Sequence, residues 1–284
     1  MEKFKLPETF MGIPTKGAYA RLIKEEEDKD REKGKKTNHS KAATEKKKTQ
    51  SPNLKPFAPQ VTTKINLADF IQIPQYKIII RKEEELKGKN WTTTHFKLAE
   101  NGLYMPRIDH FMTHYLNVKA AASGKATLYD GKGNTIPKSE AKELWDYLST
   151  NHNGGCYTWL DAIFKEKSGK LYLETDHKVV LSGNKKKLQG SESLLEKCVD
   201  ENEVYVGLNF NNQGLPTKKS ATQDYKRSQN IYFWTPTDGT VAGFVAGSAG
   251  AVLGCNEGPS GGGGVLGVFS CAEGAAAPKN SKTN

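Results

Sequence analysis

Between Gly239 and Cys271 the chain carries a single charge, Glu257, and eleven glycines in thirty-three positions. So much small, uncharged sequence restricts the fold to three options. It could be a membrane helix, a catalytic glycine loop, or a sheet whose core residues alternate with positions stripped of their side chains.

The membrane option rests on two GxxxG spacings, Gly243 with Gly247 and Gly250 with Gly254, inside eighteen uncharged residues at the lower edge of a spanning length. Glycine and alanine supply little transfer energy and no cluster of Lys or Arg flanks the run, so membrane insertion is not expected. The catalytic option rests on GPSGGGG (258–264), a glycine-flanked serine like that of trypsin-like proteases. Pro259 replaces the aspartate of that motif, and no histidine or aspartate in a fitting context precedes Ser260. Nor does a Lys-Ser or Lys-Thr pair follow the glycines, as a phosphate loop requires. The sheet option uses the alternation of strand side chains. FVAGSAGAVLGC can keep Phe244, Ala246, Ser248, Ala251, Leu253 and Cys255 inward while the positions between them face solvent, with a bulge or turn at Ala249 and Gly250.

The 284 residues carry a net charge of +10, but residues 1–61 alone hold fifteen basic and nine acidic residues, leaving only +4 for the rest. KEEEDKDREKGKKTNHSKAATEKKKTQSPN, from Lys24 to Asn53, has too few apolar groups to offset the entropy of ordering. The expected organisation is an N-terminal tail or linker at 1–61, largely disordered, one domain at 62–275, and a disordered tail at 276–284. Limited proteolysis should cut between residues 20 and 56 before it reaches the domain. Lys46, Lys47 and Lys48 lie together, but Glu25 to Asp28 interrupts the charge and no aromatic residue between 20 and 56 can stack on a base, so no specific nucleic acid is expected as partner. The start MEKFKLPETF lacks the apolar run of a secretory signal. Direct export is therefore not expected, which leaves a cytoplasmic, virion-associated or partner-displayed protein.

Four cysteines, Cys156, Cys198, Cys255 and Cys271, stand 42, 57 and 16 positions apart, without the CxxC spacing of zinc or redox sites. They read as buried free thiols. His110 and His114 lie four apart on one helix, as a metal pair would, but HFMTH lacks the glutamate of the zinc-protease motif and no third ligand has a recognisable spacing. A surface or partly packed histidine pair is the expectation, with no metal and no cofactor.

The apolar pattern gives the elements. NLADFIQI (66–73) has helical spacing stopped by Pro74, and YKIIIRK (76–82) is a β-branched strand. In YMPRIDHFMTHYLNVKAAA, Pro106 suits a first helical turn, and Ile108, Phe111, Met112, Tyr115 and Leu116 fall on one face. KSEAKELWDYLST forms a second helix carrying Leu144, Trp145 and Leu148, and YTWLDAIF gives a short helix. KLYLETDHKVVLSG, EVYVGLNF and NIYFWTPTDG read as strands. Helices first and strands later imply an α+β domain, and no internal repeat is present.

From about residue 100 onward the chain resembles the variable proteins of diversity-generating retroelements. The residues that carry the resemblance are ENGLYMPRIDHF, the YDGKGN turn with SEAKELWDYL, YTWLDAIF, and LNFNNQGLPTKKS followed by NIYFWTPTDGTVAGF. The resemblance implies a C-type lectin-like fold whose last strands form a fixed frame interrupted by changeable positions. The frame would be Val241, Ala242, Gly243, Phe244, Ala246, Ser248, Ala251, Leu253, Cys255, Pro259, Ser260, Leu266, Gly267 and Val268. The changeable, ligand-binding positions would be Val245, Gly247, Ala249, Gly250, Val252, Gly254, Asn256, Gly258 and Gly261, Gly262, Gly263 and Gly264, with Glu257 and Val265 at the margin. The family's mechanism replaces template adenines, so an asparagine codon can become Gly, Ala, Ser or Val. Glu257 falls outside that set. The family often has arginine where Phe269 stands. The implied function is ligand binding without enzymatic activity, directed at a protein or cell-surface partner. Two alternatives remain open: an enzyme of the formylglycine-generating type on the same fold, using Cys255 and Cys271, and a membrane-anchored structural protein. Ligand and oligomeric state are not legible.

Overall fold

The computed structural model describes residues 65–261, 266–274 and Phe57, together with the backbone of three short strands nearer the N-terminus. The chain divides into two compact units, Met1–Pro52 and Asn53–Asn284. In the first, β1 (Thr9–Phe10) pairs antiparallel with β2 (Ile13–Pro14). The tails expected at 1–61 and 276–284 fall almost entirely outside the described residues.

The second unit is a mixed α+β structure. A three-stranded sheet joins the two ends of its described chain. The hairpin of β4 (Phe70–Ile73) and β5 (Ile78–Arg81) accepts the C-terminal strand β13 (Cys271–Glu273) against β5, with Ile79 opposite Ala272. The helix expected over 66–73 is therefore corrected. A single 3-10 turn at Leu67–Asp69, capped by Asn66, leads into β4. All four residues of β4 are buried, which erases strand alternation, and Pro74 leaves no length for a helix.

Three helices follow the hairpin. α1 (Trp91–Glu100) is capped by the Asn90 side chain, which accepts the Thr93 N–H at 2.8 Å. It was not expected, because two of the four residues on its buried stripe are Thr94 and His95. α2 (Ile108–Ala122) starts two residues after Pro106 and buries Ile108, Phe111, Met112 and Tyr115 as expected. α3 (Lys138–Ser149) buries Trp145 and Leu148, and Trp145 meets Tyr115 edge-on at 4.9 Å.

The large sheet comprises β3 (Lys55–Pro56), β6 (Cys156–Lys167), β7 (Lys170–Ser182), β8 (Lys185–Leu194), β9 (Val204–Gly207), β10 (Asn230–Trp234), β11 (Val241–Gly247) and β12 (Gly250–Glu257). Its order is β3-β7-β6-β11-β12-β10-β9, with β8 paired to β7, and β10 runs parallel to β12 while the other pairs are antiparallel. YTWLDAIF is thus the centre of strand β6, where a helix was expected. Cys156, Leu160, Ala162 and Phe164 join the main core on one face, and Tyr157 and Trp159 join a second cluster on the other. A strand covered on both faces reads as one continuous apolar run, and such a run does not distinguish strand from helix.

Two further expectations change. His110 and His114 are both buried, with the His114 ring between Phe111 and Phe269. Phe269 is itself core, 5.7 Å from the Phe111 ring. Cys156, Cys255 and Cys271 are buried free thiols, and Cys198 is partly buried. Among the described residues no helix is long and apolar enough to cross a membrane. The glycine-rich run is instead the β11–β12 hairpin, turning through Ser248 and Ala249.

Candidate binding face

The β11–β12 hairpin sorts its residues by face. Ala242, Phe244 and Ala246 on β11, and Ala251, Leu253 and Cys255 on β12, belong to the main core with no exposed surface. Ser248, expected inward, is exposed in the turn, because the turn interrupts the alternation. Opposite the core, Val245 faces Val252 across the ladder, and both are partly exposed. Gly243 pairs with Gly254 and Gly247 with Gly250 on the same side. Between Val241 and Gly243 the register slips, giving β12 one extra residue around Cys255 and Asn256. That bulge returns Glu257 to the outer side, opposite Val241. Asn256 is half-buried within it.

Register extends this face from β11 through β12 and β10 to β9, and it ends at β6 against Tyr157, which is buried in the second cluster. Val245 lies beside Tyr157 of β6, Val252 beside Tyr232 of β10, and Tyr232 beside Tyr205 of β9. One step along, Gly254 lies beside Trp234. The Tyr205 and Tyr232 rings meet edge-on at 4.9 Å, and those of Tyr232 and Trp234 at 6.1 Å. All three are partly exposed, while Val204, Val206, Ile231 and Phe233 between them are buried. The open side of the sheet is therefore an aromatic row abutting a strip of glycine and valine. Burial and the neighbouring Glu203 and Tyr205 push the Tyr232 hydroxyl up to about 12, so it remains a neutral donor at neutral pH.

Glu257 supplies the charge on the hairpin's part of this face. A Cβ built on Gly254 would lie 3.2 Å from its carboxylate Oε1, and Cβ atoms on Gly243 and Gly254 would both lie 3.8 Å from its Cγ, so its side chain lies along the paired glycines. Burial raises its carboxyl above the usual range. No described residue donates a hydrogen bond or a cation to it. Gly254, along which this carboxyl lies, is beside Trp234 in the register, and a carboxylate near an aromatic face suits a ligand guanidinium or ammonium.

The candidate positions differ in what they tolerate. A Cβ at Gly247 would meet only the Tyr157 hydroxyl, at 3.4 Å. At Gly250 the backbone has φ +96° and a Cβ would lie 2.5 Å from the Tyr225 ring, so this position has no room for display. Gly258 and the backbone of Gly247, Gly250 and Gly254 are buried, whereas Ala249 and Gly261 are exposed. Gly262, Gly263, Gly264 and Val265 lie outside the described residues. Gly250→Ser should therefore cost about 1–3 kcal/mol, while Gly247→Ser stays within about 0.5 kcal/mol. Thermal melts of the two variants check the contrast, and equal melting temperatures would contradict the geometry at Gly250.

Sequence reasoning missed the aromatic row. Its signal was present as strict alternation in VYV and IYFW, but the parallel pairing that sets β10 against β12 is non-local and has no local mark. Comparison with family models, curated proteins and solved structures found no match to this chain.

Proposed function

We propose that the chain is a non-enzymatic ligand-binding protein with a C-type lectin-like domain, related to the variable proteins of diversity-generating retroelements. One observation carries this reading. Of the residues assigned to a fixed frame, Ala242, Phe244, Ala246, Ala251, Leu253 and Cys255 form the core side of the hairpin, while the changeable Val245, Gly247, Val252 and Gly254 lie on the opposite side, together with the frame residues Val241 and Gly243. A surface can change residue by residue only if its side chains are uncoupled from the core, and a two-faced hairpin provides that separation. The pairing of β13 with β5, which brings the chain's end back to the domain's start, suits a looped lectin-like domain.

The ligand chemistry follows from the fixed neighbours. Good protein-binding surfaces favour Tyr, Trp and Arg, and glycine and valine alone make a poor one. Here Tyr205, Tyr232 and Trp234 supply the anchors, and the hairpin supplies shape. The preferred ligand is a protein or cell-surface molecule presenting a basic group to Glu257. Enzymatic use of Cys255 and Cys271 is disfavoured, since burial pushes both thiols well above their ordinary range and away from the reactive thiolate.

Deep sequencing of this gene across a population of its source checks the proposal. Substitutions should concentrate at Val245, Gly247, Ala249, Val252 and Gly254 and spare Phe244, Leu253, Tyr205, Tyr232 and Trp234. They should match, at adenines, a near-copy of the segment encoding residues 240–270 beside a reverse-transcriptase gene. Substitutions spread evenly over frame and open positions would end this reading.

A further inference from the structure

On the other side of β6 from the main core, three side chains from three elements converge. They are His95 of α1, Asp161 of β6 and His177 of β7, each buried. One ligand-type atom from each lies within 4.8 Å of the others. His177 Nδ1 is 2.5 Å from Asp161 Oδ1, and His95 Nε2 is 3.5 Å from the same oxygen. Trp91 closes the cluster, its ring edge-on to His95 at 4.3 Å and to His177 at 5.0 Å. The Trp91 indole N–H is bonded elsewhere, to the Leu160 carbonyl at 2.8 Å.

A hydrogen-bonded knot without any ligand would explain part of this. Asp161 Oδ2 accepts the His177 backbone N–H at 3.0 Å, and Oδ1 faces the His177 ring. The knot leaves His95 unexplained. Its Nε2 is fully enclosed and has no hydrogen-bond partner, yet it points at a carboxylate oxygen just beyond hydrogen-bond reach. An unpaired buried polar atom is costly.

We propose that His95 Nε2, Asp161 Oδ1 and His177 Nδ1 form a binding site for a divalent transition metal, with zinc as the best match. Two imidazoles and a carboxylate are an established zinc donor set. With bonds of about 2.0–2.1 Å and tetrahedral angles, ligand atoms stand roughly 3.3 Å apart. The His95–Asp161 separation of 3.5 Å is close to that value, and the His177 ring, at 2.5 Å, needs to withdraw from Asp161 by less than about 1 Å.

A second, independent feature supports the assignment. The far nitrogen of His177, Nε2, lies 3.1 Å from Glu174 Oε1, and Glu174 is paired in turn with Lys165. A carboxylate on the far nitrogen fixes the ring so that Nδ1 presents its lone pair, which is the usual outer-shell arrangement of a metal-bound histidine. A cavity of about 510 Å³, lined in part by His95, His177, Tyr104, Gln189 and Ser191, adjoins the cluster. Sequence spacing could not reveal this site, since its ligands are 66 and 16 residues apart on three elements.

The test uses the full chain after dialysis against a chelator, titrated with cobalt(II). One equivalent should produce the visible absorption of four- or five-coordinate cobalt, zinc should displace it, and zinc should raise the melting temperature by several degrees. His95→Gln keeps α1 and most of the side-chain volume and should abolish the absorption and the zinc-dependent shift, whereas His110→Gln should keep both. Absence of a stoichiometric cobalt band in the wild-type chain overturns the proposal. So does a band that survives in folded His95→Gln. Should His95→Gln fail to fold, the wild-type titration and its displacement by zinc still decide the matter.

Discussion

Leu253→Ala and Phe244→Ala should each destabilise the domain by about 2–5 kcal/mol, while Val252→Tyr, next in sequence to Leu253, should change its melting temperature by no more than about 2 °C. Leu253 has no exposed surface and faces Phe244 on one neighbouring strand and Phe233 on the other. The Phe244 ring lies 4.9 Å from Phe111 and 5.5 Å from Tyr115, so truncating either residue opens a cavity under α2 that close-packed neighbours fill only in part. Val252 lies on the opposite face, partly exposed, between Val245 and Tyr232. Its enlargement to Tyr extends the aromatic row into solvent. A thermal-melt series in which Val252→Tyr destabilises as strongly as Leu253→Ala would show that this face is closed, and the proposed binding surface would fail at its centre.

What the sequence discloses tracks whether an element is covered on one face or two. β12, β9 and β10 have one partly open side and β11 is partly open at Val245, so Phe244/Val245, Leu253/Val252, Val206/Tyr205 and Phe233/Tyr232 alternate and the strands are legible. α2 and α3 likewise show an apolar stripe. β4 and β6 are covered on both sides, and their runs, in which the buried polar Gln72, Thr158 and Asp161 do not restore a strand alternation, read as helix. α1 escaped notice for a different reason. Its buried stripe, Trp91, Thr94, His95 and Leu98, has perfect helical spacing but half of it is polar, and its burial depends on partners in β6 and β7. The proposed binding face is legible strand by strand, whereas the neighbours of each strand are not. The crossover that places β10 against β12 brings Tyr232 and Trp234 to the hairpin, and no local pattern encodes a crossover.

Burial of His114 should make the domain acid-sensitive in a defined window. The side chain is 1% exposed, its ring sits between Phe111 and Phe269, and its Nδ1 has no hydrogen-bond partner. Burial alone lowers its pKa to about 3, against roughly 6.5 in the unfolded chain. Above pH 6.5 the histidine is neutral in both states and contributes no pH dependence. Between 6.5 and about 3 the unfolded state holds a proton that the folded state refuses, so stability falls as pH falls, by at most about 1.4 kcal/mol per pH unit. At pH 4.5 the loss from this residue should reach roughly 2–3 kcal/mol. His114→Leu removes the titration and the unpaired nitrogen together while nearly conserving volume. Urea unfolding of wild type and variant at pH 7 and pH 4.5 isolates the effect, since every other titrating group cancels in the difference. The variant's advantage should grow by that amount on acidification. Parallel pH dependences would mean that His114 is protonated in the folded state or that water reaches it, and the packing of α2 against Phe269 would need revision.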